Sequence, residues 1–412
     1  MNKPSKLFFY LLTLIKLSVT LFSIDISKEF QKNNCMNIET LLVHGGEAHK
    51  SITGSISMPI YQTATFEHPE LGKSTGFDYS RTQNPTRQKL ESSYAVLESG
   101  SVGLAFTTGM AAIAAIFDLF KANDEFLICD DLYGGSYRFF QEICTNRNQK
   151  FIYIDTSNLE NIRKNITNKT KAIFIESPTN PMMKVTDIAA VAKIAKEKNI
   201  LTICDNTFLT PFFQKPLDLG IDIVVCSATK FIGGHNDTLA GLIAVKDNEL
   251  GEKIRFIQNT VGSGLAPFDS WLMLRGLKTL GVRMQRQEQN AKAIAEWLLT
   301  HPSVGKVYYP GLPSHEGYSI SKSQSFGFGA MISFEVKDKS IVEKILKKVK
   351  VIAFAESLGG VESLITYPIV QTHAAIPKEI LDRLGVSEGL LRLSVGIESK
   401  IDLIEDLKQA MS

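Results

Sequence analysis

Ile221-Asp222-Ile223-Val224-Val225-Cys226 runs directly into Ser227-Ala228-Thr229-Lys230-Phe231-Ile232-Gly233-Gly234-His235. The apolar run reads as a buried strand, and the lysine stands just past its end. Hydroxyls lie one and three residues before Lys230 and two glycines follow it, so an amine and several phosphate-oxygen donors converge on one small anionic ligand. A lysine must be neutral to attack an aldehyde, and a partly desolvated site beside other positive charge lowers its pKa toward that state. A P-loop lysine is a poor match, because that motif places its glycines before the lysine and its hydroxyl after it. A surface lysine beside a turn is the plain alternative for any single lysine, so the neighbouring segments decide.

The arrangement suits a Schiff base to pyridoxal phosphate, and other segments supply what that cofactor needs. Leu201-Thr202-Ile203-Cys204-Asp205 reads as a buried strand ending in an acid. Parallel strands of an α/β sheet bind ligands at their carboxyl ends, and a carboxylate there keeps a pyridine nitrogen protonated. Asp205 is the candidate, with capping of the next segment as its other reading. Thr108-Gly109-Met110 opens a helix-like run, and free N–H groups at a helix start favour phosphate, so Gly109 and Met110 are a candidate cradle. Ordinary helix initiation explains that triplet equally well. Tyr133, in Asp130-Asp131-Leu132-Tyr133-Gly134-Gly135, is suited to stack on a flat ring. Asn180, in Glu176-Ser177-Pro178-Thr179-Asn180-Pro181, is suited to donate to the cofactor's phenolic oxygen. Each of these also has a plain loop reading; their recurrence at successive strand ends is the argument.

From about Leu41 to the C-terminus these motifs resemble the Cys/Met-metabolism family of pyridoxal-phosphate enzymes, which includes cystathionine γ-synthases, γ-lyases, β-lyases and sulfhydrylases. The resemblance implies fold type I, an aspartate-aminotransferase-like α/β architecture with a mostly parallel sheet and a smaller C-terminal α/β unit. It makes Lys230 the Schiff-base lysine and proton shuttle, with Asp205 on the ring nitrogen and Tyr133 on the ring face. Gly109, Met110, Ser227 and Thr229 would hold the phosphate, joined by Tyr79 and Arg81, which in the family reach across from a neighbouring subunit. Arg392 matches the arginine that binds the substrate α-carboxylate, for which a bidentate guanidinium is suited, and Ser357 goes with it. The implied division is an N-terminal apolar extension over 1–35, an arm serving a neighbouring active site over 36–91, a cofactor-binding domain over 92–285 and a C-terminal domain over 286–412. A homo-oligomer, a dimer of dimers, is implied as well.

Asp78, Arg138 and Glu356 are expected at the distal end of the substrate and resemble the γ-specific members. A β-lyase more often carries an apolar or aromatic group at the position of Glu356, and methionine γ-lyases have cysteine in place of Gly135. The resemblance therefore implies γ-replacement on an O-acyl-homoserine with cysteine, giving cystathionine. Cleavage of cystathionine at its γ or β bond, sulfhydrylation of O-acetylhomoserine, and a catalytically inactive regulatory homologue are the alternatives. Glu356 also reads as a solvated loop carboxylate.

Composition agrees. A chain of 412 residues with 44% apolar content buries a large core and exceeds a usual single domain. A net charge of +2 with no basic cluster gives no case for nucleic acid. The five cysteines, at 35, 129, 144, 204 and 226, show no metal or disulfide spacing and read as reduced core residues of a cytoplasmic protein. Strands alternate with helical runs from about Ser92 to Met284, which predicts a parallel sheet. Thr186 is expected to cap a helix whose Ile188, Val191, Ile194 and Ala195 share a face. A further helix is expected from Arg286 to Leu299, and a strand over Met331–Val336 followed by a helix from Ser340. Leu7 to Ile24 is nearly all apolar behind Lys3 and Lys6, like the core of a signal peptide, yet marginal for a membrane span and without a clear cleavage site. The segment from Met36 resembles an ordinary family start. The expectation is a mis-assigned start codon, with a membrane or targeting segment as the alternative.

Overall fold

The computed structural model describes residues 36–46, 53–374 and 376–412. The expectations for residues 1–35, including Cys35, lie outside the described residues. Seven strands form the larger sheet: β1 (Val102–Phe106), β2 (Glu125–Cys129), β3 (Lys150–Ile154), β4 (Thr170–Glu176), β5 (Leu201–Asp205), β6 (Ile223–Ser227) and β7 (Gly241–Val245). Their spatial order is β1-β7-β6-β5-β4-β2-β3. Strands β6, β5, β4, β2 and β3 run parallel, and β7 alone is antiparallel to its neighbours β1 and β6.

This order positions the site. Because β7 is antiparallel to both its neighbours, β1 points the same way as β6. The carboxyl ends of β1, β2, β4, β5 and β6 therefore open on one edge. Glu176 of β4 pairs with Asp205 of β5, and Asp205 with Val225 of β6, so adjacent strand ends are separated only by the spacing of hydrogen-bonded strands, about 4.8 Å.

The strands are apolar on both faces because both faces are covered. Ile173, Ile175, Cys204, Val224 and Cys226 enter one core, while Ala172, Phe174, Ile203, Ile223 and Val225 enter the other. The second core is rich in phenylalanine: Phe117 lies edge-on to Phe126 at 5.1 Å, and Phe140 stacks on Phe151 at 4.9 Å. Cys129, Cys144, Cys204 and Cys226 are free and buried.

The helix Ile188–Glu197 buries Ile188, Val191, Ala192, Ile194 and Ala195, the expected face. Its cap is Asp187 rather than Thr186: the Asp187 side chain accepts from the Ala190 N–H. Thr186 is spent on the Thr156 hydroxyl at 2.8 Å and on Ser177, whose Oγ accepts from the Thr186 N–H at 3.1 Å.

The smaller sheet contains β8 (Val304–Tyr308), β9 (Met331–Val336), β10 (Ala353–Phe354), β11 (Leu364–Thr366) and β12 (Leu390–Ser394), ordered β10-β11-β12-β9-β8. Strand β9 and the helix Ile341–Lys348 after Ser340 lie where the sequence predicts them. The helix expected over 286–299 is longer, Leu280–Thr300, and carries the chain without a break from one sheet to the other. Its Met284, Ala291, Ile294 and Leu298 share one core with Ile173 of the larger sheet and with Ile332 and Phe334 of the smaller. The two sheets are thus fixed against each other by common burial, and Arg392 on β12 is brought to the edge where β4, β5 and β6 end. Among the described residues no helix is long and apolar enough to cross a membrane.

Candidate active site

Lys230 follows β6 by three residues. Its backbone N–H donates to the Ser227 carbonyl at 3.1 Å, and its Nζ donates to Ser357 Oγ at 2.9 Å. Burial, with the nearby Arg392 charge, pushes its pKa down to about 8, while Glu356 opposes the shift. A measurable fraction of this amine is therefore neutral near physiological pH, as attack on an aldehyde requires.

Asp205 ends β5 and is buried. One carboxylate oxygen accepts from both the N–H and the hydroxyl of Thr207. Burial raises its pKa to about 6, which the Thr207 bonds hold down, so it is charged at neutral pH. The Thr207 hydroxyl also accepts from the Ser227 N–H at 2.8 Å, tying the end of β5 to that of β6.

The helix Gly109–Phe117 starts beside this corner. The Thr108 side chain caps it by accepting from Ala111 N–H, and the N–H groups of Gly109 and Met110 precede the first intrahelical bonds. A Cβ on residue 109 would stand 2.9 Å from Ser227 Cβ, so only glycine lets the helix start approach the loop after β6 this closely. Thr229 Oγ1 donates to the Ala240 carbonyl at 3.2 Å and accepts from the Ala240 N–H at 3.0 Å, which fixes the turn carrying Lys230. Met110 receives the Ser136 hydroxyl on its sulfur at 3.9 Å.

Tyr133 precedes the short helix Gly134–Arg138 and is 43% exposed, its ring presented rather than packed away. A Cβ at Gly135 would meet that ring at 2.4 Å. The Tyr133 N–H donates to Glu176 Oε2 at 3.2 Å.

Arg392 is fully enclosed. Its Nη1 donates to Asn180 Oδ1 at 2.9 Å, and its Nη2 to the Ser357 carbonyl at 3.1 Å and to Thr366 Oγ1 at 3.2 Å. Its Nε is buried with no partner among the described residues. An unpaired buried donor on a cation is costly unless an anion comes to it. Glu356 is exposed next to Ser357, and Arg138 is exposed at the end of its helix.

The remaining expected residues lie elsewhere in the chain's own fold. Arg81 Nη1 donates to the carbonyl and the side chain of Asn259 at 2.8 and 3.0 Å, and its guanidinium carbon sits 5.7 Å from the Tyr79 ring centre. Asp78 accepts from Ser74 and lies 3.5 Å from His68 Nε2. No hydrogen bond or ion pair joins these side chains to Lys230, Asp205 or Arg392 among the described residues.

Thr207, Thr366 and Glu176 are contributors that sequence reasoning passed over. Glu176 is buried, and its pKa is raised well above the usual range by burial and by the charge of Asp205 across the strand pair. Its place as the last residue of an apolar strand is the same signal that marks Asp205.

These residues fit a phosphorylated, planar, aldehyde-bearing cofactor. The observations behind that fit are a half-buried amine with a lowered pKa, a glycine cradle that a Cβ would fill, a buried carboxylate and an orphaned guanidinium nitrogen, all at one sheet edge.

The chain matches the family described as Cys/Met metabolism PLP-dependent enzyme over residues 39–412. It is 49% identical over 376 residues to cystathionine gamma-lyase of Bacillus subtilis, covering 91% of this chain and 99% of that protein. It is also 49% identical over 375 residues to the cystathionine gamma-synthase/O-acetylhomoserine (thiol)-lyase of the same bacterium, covering 91% and 96%. Among solved structures, cystathionine gamma-lyase from Lactobacillus plantarum complexed with L-serine superimposes with a TM-score of 0.88 at 46% identity, over 91% of this chain and 98% of that one.

Proposed function

The chain belongs to the Cys/Met metabolism family of PLP-dependent enzymes and has their fold type I architecture, and we propose that its reaction is γ-replacement. In this reading an O-acyl-homoserine loses its γ-acyloxy group as a carboxylate and cysteine thiolate bonds to the same carbon, giving cystathionine. The observation that carries it is the grouping around Ser357, whose hydroxyl accepts from Lys230 Nζ, whose carbonyl accepts from Arg392, and whose chain neighbour is the exposed Glu356.

Bound pyridoxal phosphate supplies an electron sink for negative charge developing at the amino acid's Cα and Cβ. The residues assigned to hold it are Lys230, Asp205, Tyr133, Asn180, Gly109, Met110, Ser227 and Thr229. Arg392 receives the α-carboxylate through its unpartnered Nε, a charge-assisted bond that also orients the Cα proton toward Lys230. Lys230 Nζ would take the Cα proton, pass it on and so return to the neutral amine, and only then take a proton from Cβ; a pKa near 8 suits both acceptance and return. Asp205, its pKa raised by burial only to about 6, is anionic at neutral pH and would keep the cofactor's ring nitrogen protonated. Glu356, Arg138 and Asp78 are assigned to the ammonium and carboxylate at the far end of cysteine or cystathionine.

We also assign Tyr79 and Arg81 to the phosphate of a neighbouring copy's site, which makes the protein a homo-oligomer, and we assign it to the cytoplasm. The domain division near residues 91 and 285 is part of the same proposal.

A second reading is γ-cleavage of cystathionine, supported by the 49% identity to a protein named for that activity. Product analysis separates the two. Cysteine plus O-acetyl- or O-succinyl-homoserine yields cystathionine under the first reading, whereas cystathionine alone yields cysteine and a keto acid under the second. Homocysteine from cystathionine alone would show β-cleavage and overturn both.

A further inference from the structure

His373 is a buried imidazole within the segment 367–374, and no role assigned above uses it. Its Nε2 lies 3.0 Å from the Asn180 carbonyl oxygen and its Nδ1 lies 2.8 Å from Thr372 Oγ1. A backbone carbonyl only accepts, so Nε2 carries the proton. A neutral ring then leaves Nδ1 as an acceptor, and the Thr372 hydroxyl donates to it. The ring is neutral because burial and the nearby Arg392 charge hold its pKa down to about 4. The surrounding segment is itself fixed: His373 N–H donates to the Pro368 carbonyl at 2.9 Å, and a Cβ on Gly134 would lie 2.1 Å from the Thr372 carbonyl oxygen. The imidazole thus stands where the loop bearing Tyr133 and the loop bearing Asn180 meet the C-terminal sheet.

Asn180 is gripped from two sides, by His373 on its carbonyl and by Arg392 on its Oδ1 at 2.9 Å. Without the first grip the Asn180 peptide can shift, and its Oδ1 moves with it away from the guanidinium it aligns. We propose that His373 is a positioning residue whose Nε2–H, through Asn180, holds Arg392 in the orientation that receives an amino acid's α-carboxylate. This rests on the reading of Arg392 given above.

The pair His373→Asn and His373→Gln isolates the donor. Asparagine keeps a polar atom near the Nδ1 position for Thr372 but cannot reach the Asn180 carbonyl; glutamine places an N–H near the Nε2 position. Both keep a polar group in the buried site, so both variants are expected to fold. Holoenzyme is titrated with L-norvaline and with L-norvaline methyl ester, following the cofactor absorption, and the ratio of the two affinities reports use of the carboxylate. Arg392→Lys is the control and is expected to lower that ratio. His373→Asn is expected to lower it about tenfold, the size of one buried hydrogen bond, with His373→Gln staying near the wild-type value. A ratio unchanged in His373→Asn but lowered in Arg392→Lys overturns the inference alone. Equal losses in the asparagine and glutamine variants also overturn it, because the donor would not be the cause. An unchanged ratio in Arg392→Lys overturns the reading of Arg392, and the inference falls with it.

Discussion

Two groups of residues assigned to one site stand in opposite environments. Lys230, Asp205, Asn180 and Arg392 are buried or half-buried; Lys230, Asn180 and Arg392 are bonded to distant parts of their own chain, and Asp205 to Thr207 just past its own strand. Asp78, Tyr79 and Arg81 are exposed, and their side chains bond to the arm itself and to Asn259 on the helix Asn248–Val261. The difference separates two physical tasks. Tuning an amine or a carboxylate needs desolvation and fixed geometry, which strand ends under two packed sheets provide. Charge for a phosphate needs no burial in its own chain, and an exposed arginine can exchange its bonds to Asn259 for a phosphate of another copy.

The buried group should respond most strongly. Lys230→Ala is expected to abolish the absorption band of lysine-bound cofactor and to lower turnover by roughly 10³-fold or more. Full turnover in that variant would remove Lys230 from the centre of the account. In the wild-type apoprotein, cofactor uptake should rise with pH through about 8, because the lysine is protonated and unreactive below that value and neutral above it. An uptake that rises only near the ordinary lysine pKa of 10.5 would show that the desolvation argument is wrong.

The arm should respond less and in a different quantity. Arg81→Ala is expected to weaken cofactor binding by about 2 kcal/mol, roughly 30-fold, the value of a lost charge-assisted contact. The pH dependence of uptake should stay in place. A shifted pH midpoint would mean that the arm tunes Lys230 and that the two groups are not separable. The smallest effect is expected at Gly135→Ala, where the added Cβ meets the Tyr133 ring at 2.4 Å and the ring, being exposed, can swing away. A several-fold fall in kcat/KM with unchanged thermal stability is the expected result, since overpacking in a true core costs about 1–3 kcal/mol and this site can relax.

The same contrast explains what the sequence could disclose. Lys230, Asp205, Tyr133 and Asn180 each follow an apolar run, and parallel pairing brings such ends to one edge, so local patterns were enough to gather them. The link between Asn180 and Arg392 spans 212 positions of sequence and depends on how the two sheets pack, which no local pattern encodes. His373 was missed for that reason, and Thr207 because its role depends on the pairing of β5 with β6. Thr207 bonds to β6, and His373 bonds to a loop 193 residues away. The cap at Asp187 was missed by one position because Thr186 and Asp187 are both good N-caps, and it is the bond to Thr156 that occupies the Thr186 hydroxyl. The arm was legible through family resemblance alone: nothing in its spacing says which copy's site it serves.

Mixing two inactive variants tests that last assignment, and with it the contrast between the two groups. Lys230→Ala chains lack the amine but keep the arm; Arg81→Ala chains keep the amine but lack the arm's cation. After dissociation and reassembly, a pair with one of each contains one complete site if arms serve the neighbouring copy, and random pairing restores about a quarter of wild-type sites. Recovery to that level, with neither variant active alone at limiting cofactor, is the predicted result. No recovery in oligomers shown to be mixed would mean that each arm serves its own chain, contradicting the account.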